Sequence, residues 1–273
     1  DMTRHMKQVV IDPVAKTATV EAGAYFRDIE DAALKHGLMF APYPSSRRIC
    51  GIGGMIGNNA SGEKSVRFGA TGDNILSLEV VLADGTVATL APKPEAAVTG
   101  AREQAILALA RREGAQLARA VGNVKKAASG YRLDKVLSVD GTFSAIPLFA
   151  GSQGTLGIVT KAVLQLVPVP EHLSLLAISA KNLEDIPVIV DTIFRWNPEA
   201  VETFDRNTFA KACEHLAEQA NRMLPYIDAD ANLFMLAEFS ETTKEATEAK
   251  AAGLPLQMAR RGFSVRYIPL DRQ

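Results

Sequence analysis

Cysteine is scarce in this chain. Cys50 and Cys213 are its only two, and they lie far apart in sequence. A disulfide framework is therefore not expected, and a reducing compartment is the default. Net charge is nearly absent at -1, so no bulk electrostatic attraction to nucleic acid or an anionic membrane exists. Aromatics make up only 6% of the residues, too few for a base-stacking surface. No apolar run reaches the length of a transmembrane helix, and no basic and apolar leader opens the sequence. The four histidines, His5, His36, His172 and His215, never stand at metal-ligand spacing, so no metal site is expected. The expectation is a cytoplasmic chain, with any peripheral association with the inner membrane made through a partner.

What remains is an ordinary globular composition, 47% hydrophobic and 22% charged over 273 residues, long enough for two domains. "KQVVID" and "TATVEAG" read as paired strands around the turn "DPVAK". Before them, "DMTRHMKQVVID" reads as the end of one strand and the start of another. In "YFRDIEDAALKH" Phe26, Ile29, Ala33 and Leu34 share a helical face, and Gly37 stops the helix. Residues 38–75 read as one long irregular loop, of a length that usually carries function. Two strands flank "ADG", residues 98–120 read as helix, "SGYRLDKVL" as a short helix, and "GSQGTLGIVTKAVLQLVPVP" as a turn running into a strand. After Glu171 strands and amphipathic helices alternate, a pattern that fits α+β and α/β alike.

The densest signal is "CGIGGMIGNNASGEKS". A Rossmann turn requires G-x-G-x-x-G; here Gly51 and Gly53 are followed by Ile56 at the third position, and two prolines interrupt the preceding segment. A P-loop requires lysine directly after its second glycine, but Glu63 stands between Gly62 and Lys64. Either the glycines only build turns, or they open backbone N–H groups to a large, partly anionic cofactor, with Asn58 and Asn59 adding uncharged donors.

Three ordered motifs carry a resemblance. "PYPSSRRICGIGGMIGNNASGEKSVRFGATGDNILSLEVVLADGT", "SGYRLDKV" and "LFAGSQGTLGIVTKAVLQLVPVP" together resemble the FAD-linked 2-hydroxy-acid dehydrogenases of the vanillyl-alcohol oxidase superfamily, in the D-lactate, glycolate and D-2-hydroxyglutarate branch. The resemblance implies an α+β chain with a PCMH-type FAD-binding domain at 1–170, followed at 171–273 by part of an antiparallel-sheet cap, and flavin between them. It implies non-covalent FAD. Pro44, Ser45 and Ser46 would line the cofactor path. Ile52, Gly53 and Gly54 would offer backbone near the flavin and ribityl chain, continued by Asn58, Asn59, Ala60 and Gly62. Gly69 matches an aromatic-Gly pair in which Phe68 replaces the usual tyrosine. Gly157, Ile158 and Val159 would reach the cofactor by main chain, and Gln153 stands where glutamate is common.

Both ends look cut, and the family's first pyrophosphate-binding loop and its C-terminal part are not in the sequence. The expectation is thus a piece of a longer flavoprotein that retains FAD weakly and leaves apolar faces exposed or covered by another copy in a homo-oligomer. The implied activity is oxidation of a small D-2-hydroxy acid to a 2-oxo acid, with hydride passing to flavin N5, an unidentified electron acceptor, and no assignable base. The rival reading is a non-catalytic scaffold that keeps the fold without cofactor. Arg47 and Arg48 read as phosphate or carboxylate partners or as a solvated pair, and Lys125 and Lys126 as a carboxylate contact or a solvated turn. Tyr131 faces the flavin or packs with a satisfied hydroxyl. His215 reads as a surface or core residue rather than a base, and Cys50 as a thiol beside the glycine loop, where covalent flavin attachment is the alternative to the non-covalent FAD expected.

Overall fold

The computed structural model describes residues 1–122, 124, 127–128 and 130–270, the side chain of Gln219 excepted, so Lys125, Lys126 and Ser129 lie outside the described residues. The chain folds as two compact units, Asp1–Val169 and Pro170–Gln273.

The first unit opens with a short helix, α1 (Met2–His5), where a strand end was expected. Asp1 explains the difference: its carboxylate accepts from the Thr3 N–H at 3.1 Å and from the Thr3 hydroxyl at 2.8 Å, an N-cap that starts a helix. Strands β1 (Val9–Asp12) and β2 (Thr17–Glu21) pair as the expected hairpin. Helix α2 (Phe26–Leu34) buries Phe26, Ile29 and Ala33. Leu34 is half exposed instead, because it lies about 100° round the helix from Ala33. β3 (Leu38–Met39) follows. The segment expected to be irregular then contains α3 (Ile52–Gly57), α4 (Ser65–Phe68) and a 3-10 turn at Thr71–Asn74. Ile52, Met55 and Ile56 stand at helical spacing and are all buried, so core packing overrides the low helix propensity of their glycine neighbours.

Next come β4 (Ile75–Val81), β5 (Val87–Leu90), β6 (Lys93–Pro94), α5 (Ala101–Val121), β7 (Thr142–Phe143), α6 (Ile146–Phe149), β8 (Ile158–Gln165) and β9 (Val167–Pro168). The main sheet is antiparallel in the order β1-β2-β8-β4-β5. Ala18 and Val20, Leu78 and Val80, and Ala162 and Leu164 alternate inward from its strands, and α2 and α3 pack on them. The late strand β8 slots between β2 and β4, which brings residues 151–157 back to the first glycine segment.

The second unit holds β10 (His172–Ala180), α7 (Ile186–Phe194), β11 (Ala200–Asp205), α8 (Arg206–His215), α9 (Ala217–Met223), β12 (Leu233–Glu241), α10 (Lys244–Ala259) and β13 (Ser264–Ile268). Its sheet is antiparallel in the order β11-β12-β10-β13, which makes the unit α+β. Leu176, Ile178, Met235 and Phe239 on one face pack with Ile189 and Ile193 of α7 and Leu254 and Met258 of α10. Phe204, Phe209 and Phe234 cluster on the other. The helix expected over 206–222 breaks at Leu216, whose φ of -131° leaves the helical region. His215 ends exposed at this break, a surface residue.

Ser174, on the helix-covered side of β10, is 2% exposed, and its hydroxyl has no hydrogen-bond partner among the described residues. A buried hydroxyl without a partner costs stability. Ser174→Ala should therefore raise stability by up to about 1 kcal/mol. Urea denaturation measures this, and a clear loss of stability would show that the hydroxyl is satisfied. No helix of the described residues is long and apolar enough to cross a membrane.

Candidate cofactor site

The first glycine segment leaves the sheet beside the end of β2. The Ile52 and Gly53 N–H groups donate to the carbonyls of Ala24 and Ala22, both at 2.9 Å. Their amides are thus spent inside the protein, and Ile52 is fully buried. A Cβ on Gly53 would stand 2.9 Å from the Ala22 carbonyl oxygen, and one on Gly62 only 1.8 Å from that of Tyr43. A Cβ on Gly157 would lie 2.7 Å from the Val81 carbonyl oxygen, and Gly69 adopts a φ of +77°. Chain packing alone demands glycine at these four positions.

Gly54 differs. It is exposed on α3, and a Cβ there would meet nothing within 4 Å. No packing contact accounts for this glycine. It is bare backbone facing open space, the feature expected where a flat ligand lies on main chain.

The second glycine-rich segment sits directly against the first. Gly151 N–H donates to Ile56 O, and Gln153 N–H to Gly57 O, each at 2.9 Å. The Gln153 side chain donates to Asn58 Oδ1 at 3.2 Å, across 95 residues of sequence. Gln153 thus makes a neutral contact where a glutamate would bring charge. Asn59 takes a left-handed φ of +45°, and its Oδ1 accepts from the Gly72 N–H at 2.8 Å. Ala60, buried, gives its carbonyl to both the N–H and the hydroxyl of Thr71. Asn59 and Ala60 therefore hold the following turn in place, a role their sequence neighbourhood did not reveal. Asn58, Gln153, Gly154 and Thr155 are exposed together on this junction.

Pro44 is half-buried, while Ser45 and Ser46 stand exposed in the turn before α3. Ile158 is 57% exposed and Val159 half-buried at the start of β8, opposite Val81 and Val80. Arg47 is held by Glu30 at 3.7 Å and by the Tyr43 ring at 4.8 Å, whereas Arg48 is exposed. Burial pushes the Cys50 thiol up, which keeps it neutral, with Sγ 3.7 Å from Arg47 O.

The third motif completes the arrangement. The Tyr131 hydroxyl lies 2.7 Å from Thr155 Oγ1, so it is satisfied although the residue is 46% exposed. Arg132 forks onto Asp134 with bonds of 2.8 and 2.6 Å. Lys135 reaches Asp73 at 2.6 Å. Asn59, Gly72, Asp73, Arg132, Lys135, Pro147 and Ala150 line a small pocket behind the glycine junction. Its cations are already paired with Asp134 and Asp73, so it is a polar joint between segments. Asp73, Asp134 and Thr155 had no signal of their own in the sequence, since their partners become visible only on folding.

Residues 1–91 match the family model for the FAD binding domain. The D-lactate dehydrogenase of Archaeoglobus fulgidus is 27% identical over 253 residues, covering 92% of this chain and 46% of that protein. Glycolate oxidase subunit GlcD of Bacillus subtilis is 33% identical over 208 residues, 75% of this chain and 35% of the relative. D-2-hydroxyglutarate dehydrogenase of Pseudomonas putida is 29% identical over 231 residues, 79% and 22% respectively. The chain therefore spans less than half the length of these relatives. Among solved structures, an alkyldihydroxyacetonephosphate synthase superposes with a TM-score of 0.64 at 17% identity, over 97% of this chain and 42% of that one, a likeness of fold. The chain has a PCMH-type fold, and its residues 1–91 match the FAD binding domain, which supports FAD as the cofactor.

Proposed function

We propose that this chain is the flavin-holding part of an enzyme that oxidises a D-2-hydroxy acid of the lactate, glycolate or 2-hydroxyglutarate type to the 2-oxo acid. The observation that carries the reading is the junction of two glycine-rich segments, with Gly54 bare and residues 153–155 exposed, the first segment lying within the stretch that matches the FAD binding domain. The names of the relatives supply the substrate class. Gly54, Asn58 and the backbone of residues 153–159 would hold the cofactor, with Ser45 and Ser46 at its edge. The other proposed positions, Ile52, Gly53, Asn59, Ala60, Gly62 and Gly69, support that surface from within. Bound FAD supplies a hydride acceptor at flavin N5. The protein contributes a neutral, preorganised surface: the amide side chain of Gln153 leaves the flavin edge without a carboxylate. The electrons would go on to a separate, unidentified acceptor. A cytoplasmic setting and assembly as a homo-oligomer belong to the same proposal.

Anaerobic bleaching of the bound flavin by the D and L forms of lactate and 2-hydroxyglutarate, and by glycolate, tests the reading. At least one D acid, or glycolate, should bleach the flavin, and the L forms should not. An FAD-loaded protein that none of these acids reduces would overturn it.

A further inference from the structure

We propose that residues 131–135 are a clasp that positions the turn at Gln153–Gly157 for the cofactor, with Tyr131 as the positioning residue acting through Thr155. The inference rests on the FAD reading above and deepens it. Thr155 Oγ1 lies 2.6 Å from Ser152 O, so the threonine proton is directed to that carbonyl. Tyr131 must then be the donor in its 2.7 Å contact with Thr155 Oγ1. The result is a directed chain from the Tyr131 O–H through the Thr155 O–H to the Ser152 carbonyl, closing the turn from outside. Chains of this kind polarise one another and strengthen each link.

Two further contacts give the clasp its shape and its second anchor. The Arg132–Asp134 fork fixes the short 3-10 turn at Leu133–Lys135. Lys135 then bonds Asp73, whose other oxygen accepts the Ala70 N–H at 2.9 Å. One five-residue strap thus touches the end of the first glycine-rich segment and the turn of the second. The anchors are unequal. The side chains of Lys135 and Asp73 are 44% and 36% exposed, so this ion pair is screened by water and weak. The Tyr131–Thr155 link is also exposed, but it is a neutral hydrogen bond that salt does not screen, and its chain ends on the carbonyl of Ser152, 5% exposed, so it should contribute more.

The turn is anchored at Gln153 by Gly57 and Asn58 and at Leu156 by the core, and its exposed tip, Gly154 and Thr155, lies between those anchors. Gly154 has open space on the side where a Cβ would stand, and Gln153 takes a φ of +55°. Loosening the turn lowers the fraction of protein competent to bind, and apparent affinity falls by that fraction. One such hydrogen bond corresponds to about a three- to tenfold change in Kd.

The test compares Tyr131→Phe, Thr155→Val, Thr155→Ser and Lys135→Met by FAD titration and by amide hydrogen exchange at residues 153–157 without ligand. Tyr131→Phe and Thr155→Val should each weaken FAD binding by about three- to tenfold and speed exchange at the turn, with the rest of the unit unchanged. Thr155→Ser should restore wild-type values, and Lys135→Met should change affinity by less than about twofold. The double variant Tyr131→Phe/Thr155→Val should be no weaker than Thr155→Val alone, because both cut one chain. Unchanged FAD affinity in Tyr131→Phe and Thr155→Val, beside a wild type that binds, overturns the clasp and leaves the FAD reading standing. A Thr155→Ser protein as weak as Thr155→Val also overturns it. If the wild type takes up no FAD, the functional reading falls. Faster exchange at 153–157 in Tyr131→Phe would then still support the clasp, and unchanged exchange would overturn it.

Discussion

Gly54→Val should lower FAD affinity by about ten- to a hundredfold, the equivalent of roughly 1–3 kcal/mol of steric intrusion, while the far-UV circular dichroism and unfolding midpoint stay close to wild type. The side chain would project from α3 into space that nothing in the unit fills. Valine is no worse than glycine for an exposed helical position, so the fold has no reason to suffer. Gly53→Val separates the two kinds of glycine. Its side chain would collide with the Ala22 carbonyl oxygen 2.9 Å away and the Ala22 Cβ at 3.1 Å, so the damage should appear as lost stability. From sequence the neighbours Gly53 and Gly54 read alike, and both were expected to matter by approaching the cofactor. Packing accounts for Gly53 and not for Gly54, so we propose Gly54 as the glycine that faces the ligand. Wild-type FAD affinity in a folded Gly54→Val protein would remove the cofactor from this surface.

Arg132→Met should cost about 2–4 kcal/mol at neutral pH, because it leaves an almost buried carboxylate without the partner that forks onto it. The Arg132 guanidinium holds the Asp134 carboxyl below the usual carboxylate range, and Asp134 in turn raises Arg132. The folded value for Asp134 therefore lies below the unfolded one. The stabilisation is fully present above the unfolded pKa of about 3.9 and is lost as pH falls through the lower folded value. Denaturant melts of wild type and Arg132→Met should differ most near neutrality and converge in strong acid, where Asp134 is protonated in both. A gap that held constant into strong acid would show that the arginine acts through packing of its stem and not through the ion pair.

Much of the fold was legible because its signals are local. The alternation of Ala18 and Val20, and of Leu78 and Val80, marks half-buried strands wherever they pair. The helix at α5 and the alternating strands and helices after residue 171 have clear periods. Some local readings failed for physical reasons. Asp1 caps α1, a one-residue device that strand propensity conceals. The helix α3 hides beneath its glycines, because Ile52, Met55 and Ile56 gain more from burial than the glycines cost. Leu34 shows the limit of a stripe read by eye, since a residue adjacent to Ala33 points well away from it.

The candidate site was legible as composition and illegible as geometry. The glycine-rich segments announced themselves, yet glycine required by a crossing backbone, as at Gly62, cannot be told in sequence from glycine that bares backbone to open space, as at Gly54. The joining contacts run between Asn58 and Gln153, Lys135 and Asp73, and Tyr131 and Thr155. The first and last follow from β8 returning between β2 and β4, and the Lys135–Asp73 contact spans 62 residues; none has a local signature.

We propose that FAD lies on the junction of the two glycine-rich segments. Amide hydrogen exchange of the protein with and without saturating FAD tests this placement. Slower exchange is expected at residues 54–60 and 153–159, with the outer strands β1 and β5 unaffected. FAD binding that leaves both segments as exchangeable as before, or that protects a different part of the chain, would contradict it.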